Sequence, residues 1–234
     1  MTNIKILEFP DLHSLSIAAV EHFVGLHNPP NKQTFLVPGG QTPSLFYKQL
    51  GKKVDDWTGT TLMLSDERLV PQRSAMSNVG MVKKKFILKN IKAVKSPSIM
   101  EIVDESKLIN PNLILKAVNV AAEALLPLTA AFLGIGEDGH TASLFTGFEK
   151  YFFNSESFFK VKKSNELFSR ISVSANILID TPLIFFLVSS SDKKNVMRKI
   201  LNKSEEKDIL PVQKILNKSK GKIVFLCDKE TLDF

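Results

Sequence analysis

Three times in this chain an apolar run of strand length breaks off into glycine or charge and then gives way to helical signals. Gln33 to Val37 runs into Pro38-Gly39-Gly40-Gln41-Thr42-Pro43. Thr60 to Ser65 ends in Asp66-Glu67-Arg68, and Ala130 to Leu133 leads into Gly134-Ile135-Gly136-Glu137-Asp138-Gly139-His140. Strands alternating with helices at this spacing build a parallel sheet covered on both faces. Loops that follow the strands of such a sheet gather along one edge, where open α/β sheets bind ligands. The expected fold is α/β with a mostly parallel sheet, and the three loops are expected to converge.

The rest of the chain fits the same plan. Ile4 to Phe9 reads as an edge strand. Asp11 reads as the N-cap of a helix that presents Leu12, Leu15, Ala19, Val20 and Phe23 on one face. Ser77-Asn78 caps a helix running to Phe86. Ile91 to Val94 and Ile99 to Val103 read as short strands, and Lys107 to Leu125 as one long helix closed by Pro127. The aromatics between Phe148 and Phe159 read as core or cover. Ile171 to Val173, Leu183 to Val188 and Lys222 to Cys227 read as further strands, with a lysine-rich helix after Asp192 and a polar stretch over 202–222. With 234 residues, 44% of them hydrophobic, the chain has material for one large α/β domain or two small ones. No linker, repeat or low-complexity segment divides it, so a single domain over 1–234 is expected.

Several classes are excluded by what the sequence lacks. A lone cysteine, Cys227, rules out a disulfide framework and fits a reducing compartment. Its apolar setting makes it a buried hydrophobe rather than a reactive thiol. The N-terminus shows no basic segment followed by an apolar run, and no apolar run approaches ~18 residues. A cytoplasmic protein with no membrane partner is expected. The net charge of +7 is mostly local: residues 192–222 hold ten Lys/Arg against four Asp/Glu. Those lysines alternate with Val196, Ile200, Leu201 and Ile215 at helical spacing and have no aromatics among them for base stacking. They read as a solvated helix face, not a nucleic-acid surface.

The loops differ in chemistry. In the first, Gly39 and Gly40 leave backbone N–H groups uncovered, Thr42 suits an N-cap and Pro43 the first helical position. Such a helix start can hold an anion, although a tight turn with no ligand would need the same residues. In the second, Arg68 has the fork geometry that suits paired phosphate oxygens. In the third, His140 stands between two acids and a short apolar segment, Ala142 to Phe145, expected to begin a helix.

The third loop matches G-x-G-x-x-G, yet a dinucleotide site is rejected. Glu137 and Asp138 would bring negative charge to a pyrophosphate, and Phe158-Phe159 stands where an acidic residue is needed. No nucleophile elbow or zinc signature is present, and Ser143 reads as an ordinary helical serine. His13, His22 and His27 have no i, i+4 partner suited to a metal and read as surface residues. What remains is His140 as a lone general base, its ring oriented by Asp138 or Glu137. That set suits attack by water on an already reactive carbonyl.

The two upstream loops, Ser77-Asn78 and the run Leu133 to Phe145 resemble, in order and spacing, the bacterial 6-phosphogluconolactonases of the glucosamine-6-phosphate isomerase/6-phosphogluconolactonase family. Arg170-Ile171-Ser172 and Lys193 extend the likeness. The related glucosamine-6-phosphate deaminases typically have Asn-Gly-His-Ile-Ala-Phe where this chain has Asp138-Gly139-His140-Thr141-Ala142-Ser143. The resemblance implies a three-layer α/β/α fold of the NagB/RpiA-like type and metal-independent, cofactor-free hydrolysis of 6-phospho-D-glucono-1,5-lactone. The runner-up activity is glucosamine-6-phosphate deaminase or a related sugar-phosphate isomerase. It also implies a small-molecule sugar phosphate as the partner of a monomer or homodimer. By the same likeness His140 activates water and Asp138 orients it. Gly39, Gly40, Thr42, Asp66, Arg68, Arg170 and Lys193 line the substrate pocket, with the cations toward phosphate. The chain departs from the family pattern at Ser189-Ser190-Ser191, where a glycine is usual, at Gln72-Arg73-Ser74-Ala75, and at Phe145-Thr146-Gly147.

Overall fold

The least polar runs form the middle of the sheet. A computed structural model describes residues 4–40, 42–86, 96–202 and 209–233. The strands are β1 (Ile4–Phe9), β2 (Gln33–Val37), β3 (Thr60–Leu64), β4 (Asp66–Arg68), β5 (Ser98–Met100), β6 (Ala130–Gly134), β7 (Phe158–Val161), β8 (Arg170–Val173), β9 (Leu183–Val188) and β10 (Lys222–Asp228). The helices are α1 (Leu12–Leu26), α2 (Pro43–Lys53), α3 (Asn78–Phe86), α4 (Pro111–Glu123), α5 (Ala175–Asp180), α6 (Lys194–Leu201), α7 (Pro211–Leu216) and α8 (Lys229–Leu232). Seven strands pair in the order β1-β10-β9-β6-β2-β3-β5, every pair parallel. With helices flanking this sheet, the three-layer α/β/α architecture expected from the sequence is the one observed.

Central strands of a parallel sheet are covered on both faces and read as continuous apolar runs. Phe35, Leu36 and Val37 of β2 and Ala130 to Leu133 of β6 are fully buried, whereas Ile4 and Ile6 of β1 stay partly exposed at the sheet edge. Asp11 caps α1, its carboxylate accepting from the Ser14 backbone N–H at 2.7 Å. The apolar stripe of α1 places Phe23 on Phe35 at 4.2 Å between ring centroids. Phe132 then stacks on Phe185 at 4.8 Å and on Phe46 of α2 at 5.2 Å. This run of rings joins α1 and α2 to β2, β6 and β9, the elements that carry the loops of interest.

Several local expectations are corrected. Asp66 to Arg68 is not a loop but β4. It pairs antiparallel with β8, which pairs with β7, in a separate three-stranded sheet. Its charges hid it: Glu67 points inward and is fully buried. The helix expected from Lys107 is broken. A 3₁₀ turn covers Glu105–Lys107, and α4 starts only where Pro111 can take the first helical position. Residues 211–216 of the polar stretch form α7, with Val212, Ile215 and Leu216 buried. Ile91 to Val94 lies outside the described residues. His22 and His27 are not simply surface groups. The first stacks on Phe185 at 4.7 Å, the second shares a 2.9 Å hydrogen bond with Thr60, and burial pushes both imidazoles below their ordinary pKa. Cys227 is buried as expected, and burial pushes its thiol up to about 12.

Ser190 has φ 110° and ψ 142°, a region suited to glycine and costing other residues about 1–3 kcal/mol. It lies within Ser189-Ser190-Ser191, the stretch where the resemblance implies a glycine. Ser190→Gly is expected to stabilise the fold by about 1 kcal/mol, read as a higher urea midpoint with an unchanged m-value.

Candidate active site

The three loops do meet. A cleft of about 250 Å³ opens over the carboxyl ends of β9, β6, β2 and β3, four adjacent strands. From β2 the chain moves outward to β3 and β5, then returns to β6 on the other side of β2 and continues to β9. The β2 and β6 loops therefore flank the switch point of the sheet, where such folds leave a crevice. Gly39, Gly40, Thr42, Asp66, Arg68, His140, Arg170 and Lys193 all line the cleft. Asp138 stands behind His140 and does not line it.

Glycine is required at Gly39 by contact. A Cβ there would lie 2.1–2.2 Å from the side-chain amide of Asn78. Gly40 has φ +93°, and the turn it permits brings Pro43 to the start of α2. Thr42 is helical in φ and ψ and makes no side-chain cap, contrary to expectation. It faces the cleft instead.

Asp66 and Arg68 owe their positions to β4 and to the start of α3. The buried Asp66 carboxylate accepts from the Ser143 hydroxyl at 2.5 Å and from Asn78 Nδ2 at 3.3 Å. Ser143 is fully buried and does not itself line the cleft. Glu67 accepts from the backbone N–H groups of Arg68, Asn78 and Val79 at 2.7–2.8 Å and from the Ser77 hydroxyl at 3.1 Å. Its burial pushes the carboxyl pKa up, and those N–H groups pull it back.

Arg68 and Arg170 are direct cross-strand neighbours in the β4–β8 pair. Like charges opposed across two strands are unfavourable without an anion between or beside them. Arg170 is chelated by Glu166, with Nε and Nη2 at 2.9 and 2.6 Å, and its Nη1 lies 3.8 Å from Asp66. Arg68 spends Nη1 on the Met76 carbonyl and on Asn78 Oδ1, while its Nε is buried with no hydrogen-bond partner among the described residues. Lys193 Nζ reaches in from beyond β9, 3.7 Å from Glu137. Three cations thus border one small cleft.

His140 does not begin a helix. Residues 141–144 form a turn closed by a Thr141–Leu144 bridge, with Ala142 at φ +51°. The hydroxyls draw the chain out of helix: Thr141 Oγ1 donates to the Gly134 carbonyl at 2.9 Å and Ser143 Oγ to Asp66. The loop closes on itself, Gly136 N–H donating to the His140 carbonyl at 2.8 Å. The imidazole Nδ1 shares a short hydrogen bond with Asp138 Oδ1, which also accepts from the His140 backbone N–H at 3.2 Å. That bond holds the Asp138 carboxyl well below the usual carboxylate range. The interaction is complete above the ordinary carboxylate pKa and fades only as pH falls through the depressed value. Of the two acids open from sequence, Asp138 is the one on the ring, and Glu137 turns to Lys193.

Asn78, Glu67, Glu166 and Ser143 shape the cleft without having been singled out for it. Asn78 and Ser143 stood within legible motifs, read only as a cap and as a helical serine. Glu166 sits in a lysine-rich stretch with no motif to mark it.

Fold and cleft together define a parallel α/β protein with a histidine and three cations at the switch point of its sheet. The chain belongs to the glucosamine-6-phosphate isomerase/6-phosphogluconolactonase family, whose pattern matches residues 16–225. It is 28% identical to the 6-phosphogluconolactonase of Caulobacter vibrioides over 239 residues, 96% of this chain and 97% of that one. It is 30% identical to that of Haemophilus influenzae, over 77% and 78% of the two chains. The fold superposes on the 6-phosphogluconolactonase of Trypanosoma brucei with a TM-score of 0.85 at 22% identity, covering 100% and 99% of the chains. It also superposes on a monomeric glucosamine-6-phosphate deaminase at 0.81 and 17% identity, covering 98% and 99%. The fold alone therefore does not choose between the two chemistries.

Proposed function

We propose that this protein hydrolyses 6-phospho-D-glucono-1,5-lactone to 6-phospho-D-gluconate, as in the oxidative pentose phosphate pathway. The observation that supports this most is the His140–Asp138 pair beside a cleft bordered by Arg68, Arg170 and Lys193. The Caulobacter vibrioides and Haemophilus influenzae relatives, at 28% and 30% identity, are 6-phosphogluconolactonases, which favours this reading over deamination.

With Nδ1–H donating to Asp138, the neutral ring keeps its lone pair on Nε2. Nε2 takes a proton from water as the water oxygen adds to the lactone carbonyl carbon. The tetrahedral oxyanion then collapses, the bond from that carbon to the ring oxygen breaks, and Nε2 returns the proton to the departing oxygen. No proton is gained or lost by the protein in the cycle. The phosphate is held by Arg68, whose Nε lacks a hydrogen-bond partner among the described residues, by Lys193, and by the remaining Nη1 of Arg170. Gly39, Gly40 and Thr42 present backbone N–H groups and the start of α2 to the sugar acid. Asp66 accepts from substrate hydroxyls.

The test is substrate choice. The protein is expected to open the lactone and to release no ammonia from glucosamine 6-phosphate; ammonia without lactone opening would decide for the deaminase. Gly136→Ala gives a finer check. A Cβ there would stand 2.1 Å from His140 Cε1 and Nδ1, forcing the ring off Asp138. Turnover is expected to fall about 10²-fold with little change in KM, since misplacing a catalytic group by an ångström costs that much. Steady-state kinetics reads the split.

A further inference from the structure

Lys193 is carried to the cleft by a segment that must leave β9 at Val188 and turn before α6 begins at Lys194. What holds that segment is a carboxylate on the neighbouring strand, together with the Thr231 hydroxyl, which lies 3.4 Å from the Val188 carbonyl and 3.3 Å from that of Ser190. Asp228 ends β10 and is 4% exposed. It accepts from the Ser189 hydroxyl and, at 3.3 Å, from the Ser190 backbone N–H. Its other oxygen accepts from Thr231 N–H at 3.0 Å and Thr231 Oγ1 at 2.6 Å. Ser190, in the conformation usually left to glycine, then builds the turn: its Oγ accepts from Asp192 N–H at 3.3 Å and its carbonyl from Lys193 N–H at 3.0 Å. Each link from Asp228 to the Lys193 backbone is a hydrogen bond.

We infer that Asp228 is a positioning residue for phosphate: it holds Ser190 in a glycine-like conformation and so aims Lys193 into the cleft. This rests on the lactonase reading for its substrate, but the geometry requires only that the cleft bind a phosphorylated sugar acid. Asp228 itself does not line the cleft. A buried carboxylate that only stabilised the fold would not care whether the ligand carried a phosphate, whereas one that aims Lys193 would.

Asp228→Asn is the variant of choice, because asparagine caps helices as well as aspartate and Oδ1 keeps its Thr231 partners. The amide nitrogen can still donate to the Ser189 hydroxyl, but it faces the Ser190 N–H as donor to donor, and the hold on the turn is released. The expected result is a KM for the phosphorylated lactone raised about tenfold with kcat within about twofold. Binding of 6-phosphogluconate, followed by calorimetry, should weaken by the same factor. Activity on unphosphorylated glucono-1,5-lactone should not change. Adding Ser190→Gly, which needs no help to reach φ 110° but gives up the Oγ bond to Asp192 N–H, should recover part of the lost binding. Equal losses on both lactones, unaltered binding, or no rescue by Ser190→Gly would overturn the inference. If Asp228→Asn does not fold, Thr231→Val, which removes the hydroxyl shared by Asp228 and the Ser190 carbonyl outside the cleft, should shift the same quantities in the same direction, and an unchanged KM there would count against it. Should the wild-type protein open neither lactone, the lactonase reading fails. The calorimetric comparison of inorganic phosphate binding by wild type and Asp228→Asn still decides the role of Asp228.

Discussion

Glu67→Ala is expected to destabilise the protein by about 3–5 kcal/mol, measured by urea unfolding. The carboxylate is fully buried and is the shared acceptor for three backbone N–H groups and the Ser77 hydroxyl. Truncation leaves buried donors unpaired, at about 1–3 kcal/mol each before relaxation, and opens a cavity. Glu67→Gln should recover only part of this, because its amide NH₂ would face donors. A pH signature separates the two effects. A carboxyl whose folded pKa is raised binds protons more readily when folded, so its contribution to stability falls as pH rises from the ordinary 4.5 through the raised value. The wild-type protein should show that decline and Glu67→Gln should lack it. Loss of Glu67 would also release the start of α3, and with it Asn78, the residue that touches both Asp66 and Arg68.

His140→Ala is expected to lower kcat on the phosphorylated lactone by ~10²–10⁴-fold, the range for a general base, with KM nearly unchanged. The ring is 30% exposed and holds no strand or helix together, so the unfolding midpoint should move little. Binding of 6-phosphogluconate should likewise survive, since the cations proposed to meet phosphate stand on β4, β8 and the segment after β9. Asp138→Asn should fall between the two, because the ring remains while its orientation and tautomer are no longer fixed. Stopped-flow kinetics on both variants reads these values directly. Full activity in His140→Ala would remove the histidine from the mechanism.

The sequence made the sheet legible because its central strands, Phe35 to Val37, Ala130 to Leu133 and Ile184 to Val188, are buried on both faces and so are unbroken apolar runs. The convergence of the loops followed from that, since every parallel strand must present its carboxyl end at the same edge. β4 stayed hidden because what neutralises its inward Glu67 is a helix start eleven residues away. The turn after His140 read as helix because its apolar spacing fits one; the hydroxyls of Thr141 and Ser143 decide otherwise, through the Gly134 carbonyl and Asp66. Arg170 could be named from a motif, but its cross-strand opposition to Arg68 depends on a register that no local pattern encodes. Asp228, at the end of an apolar strand, gave no sign that it would hold the Ser190 turn.

The most direct measurement is the time course of 6-phospho-D-glucono-1,5-lactone opening at neutral pH, with and without the purified protein, because this lactone also opens spontaneously. The expected rate lies above background in proportion to protein concentration and returns close to background in His140→Ala. A rate equal to the spontaneous one at every wild-type concentration would contradict the lactonase reading.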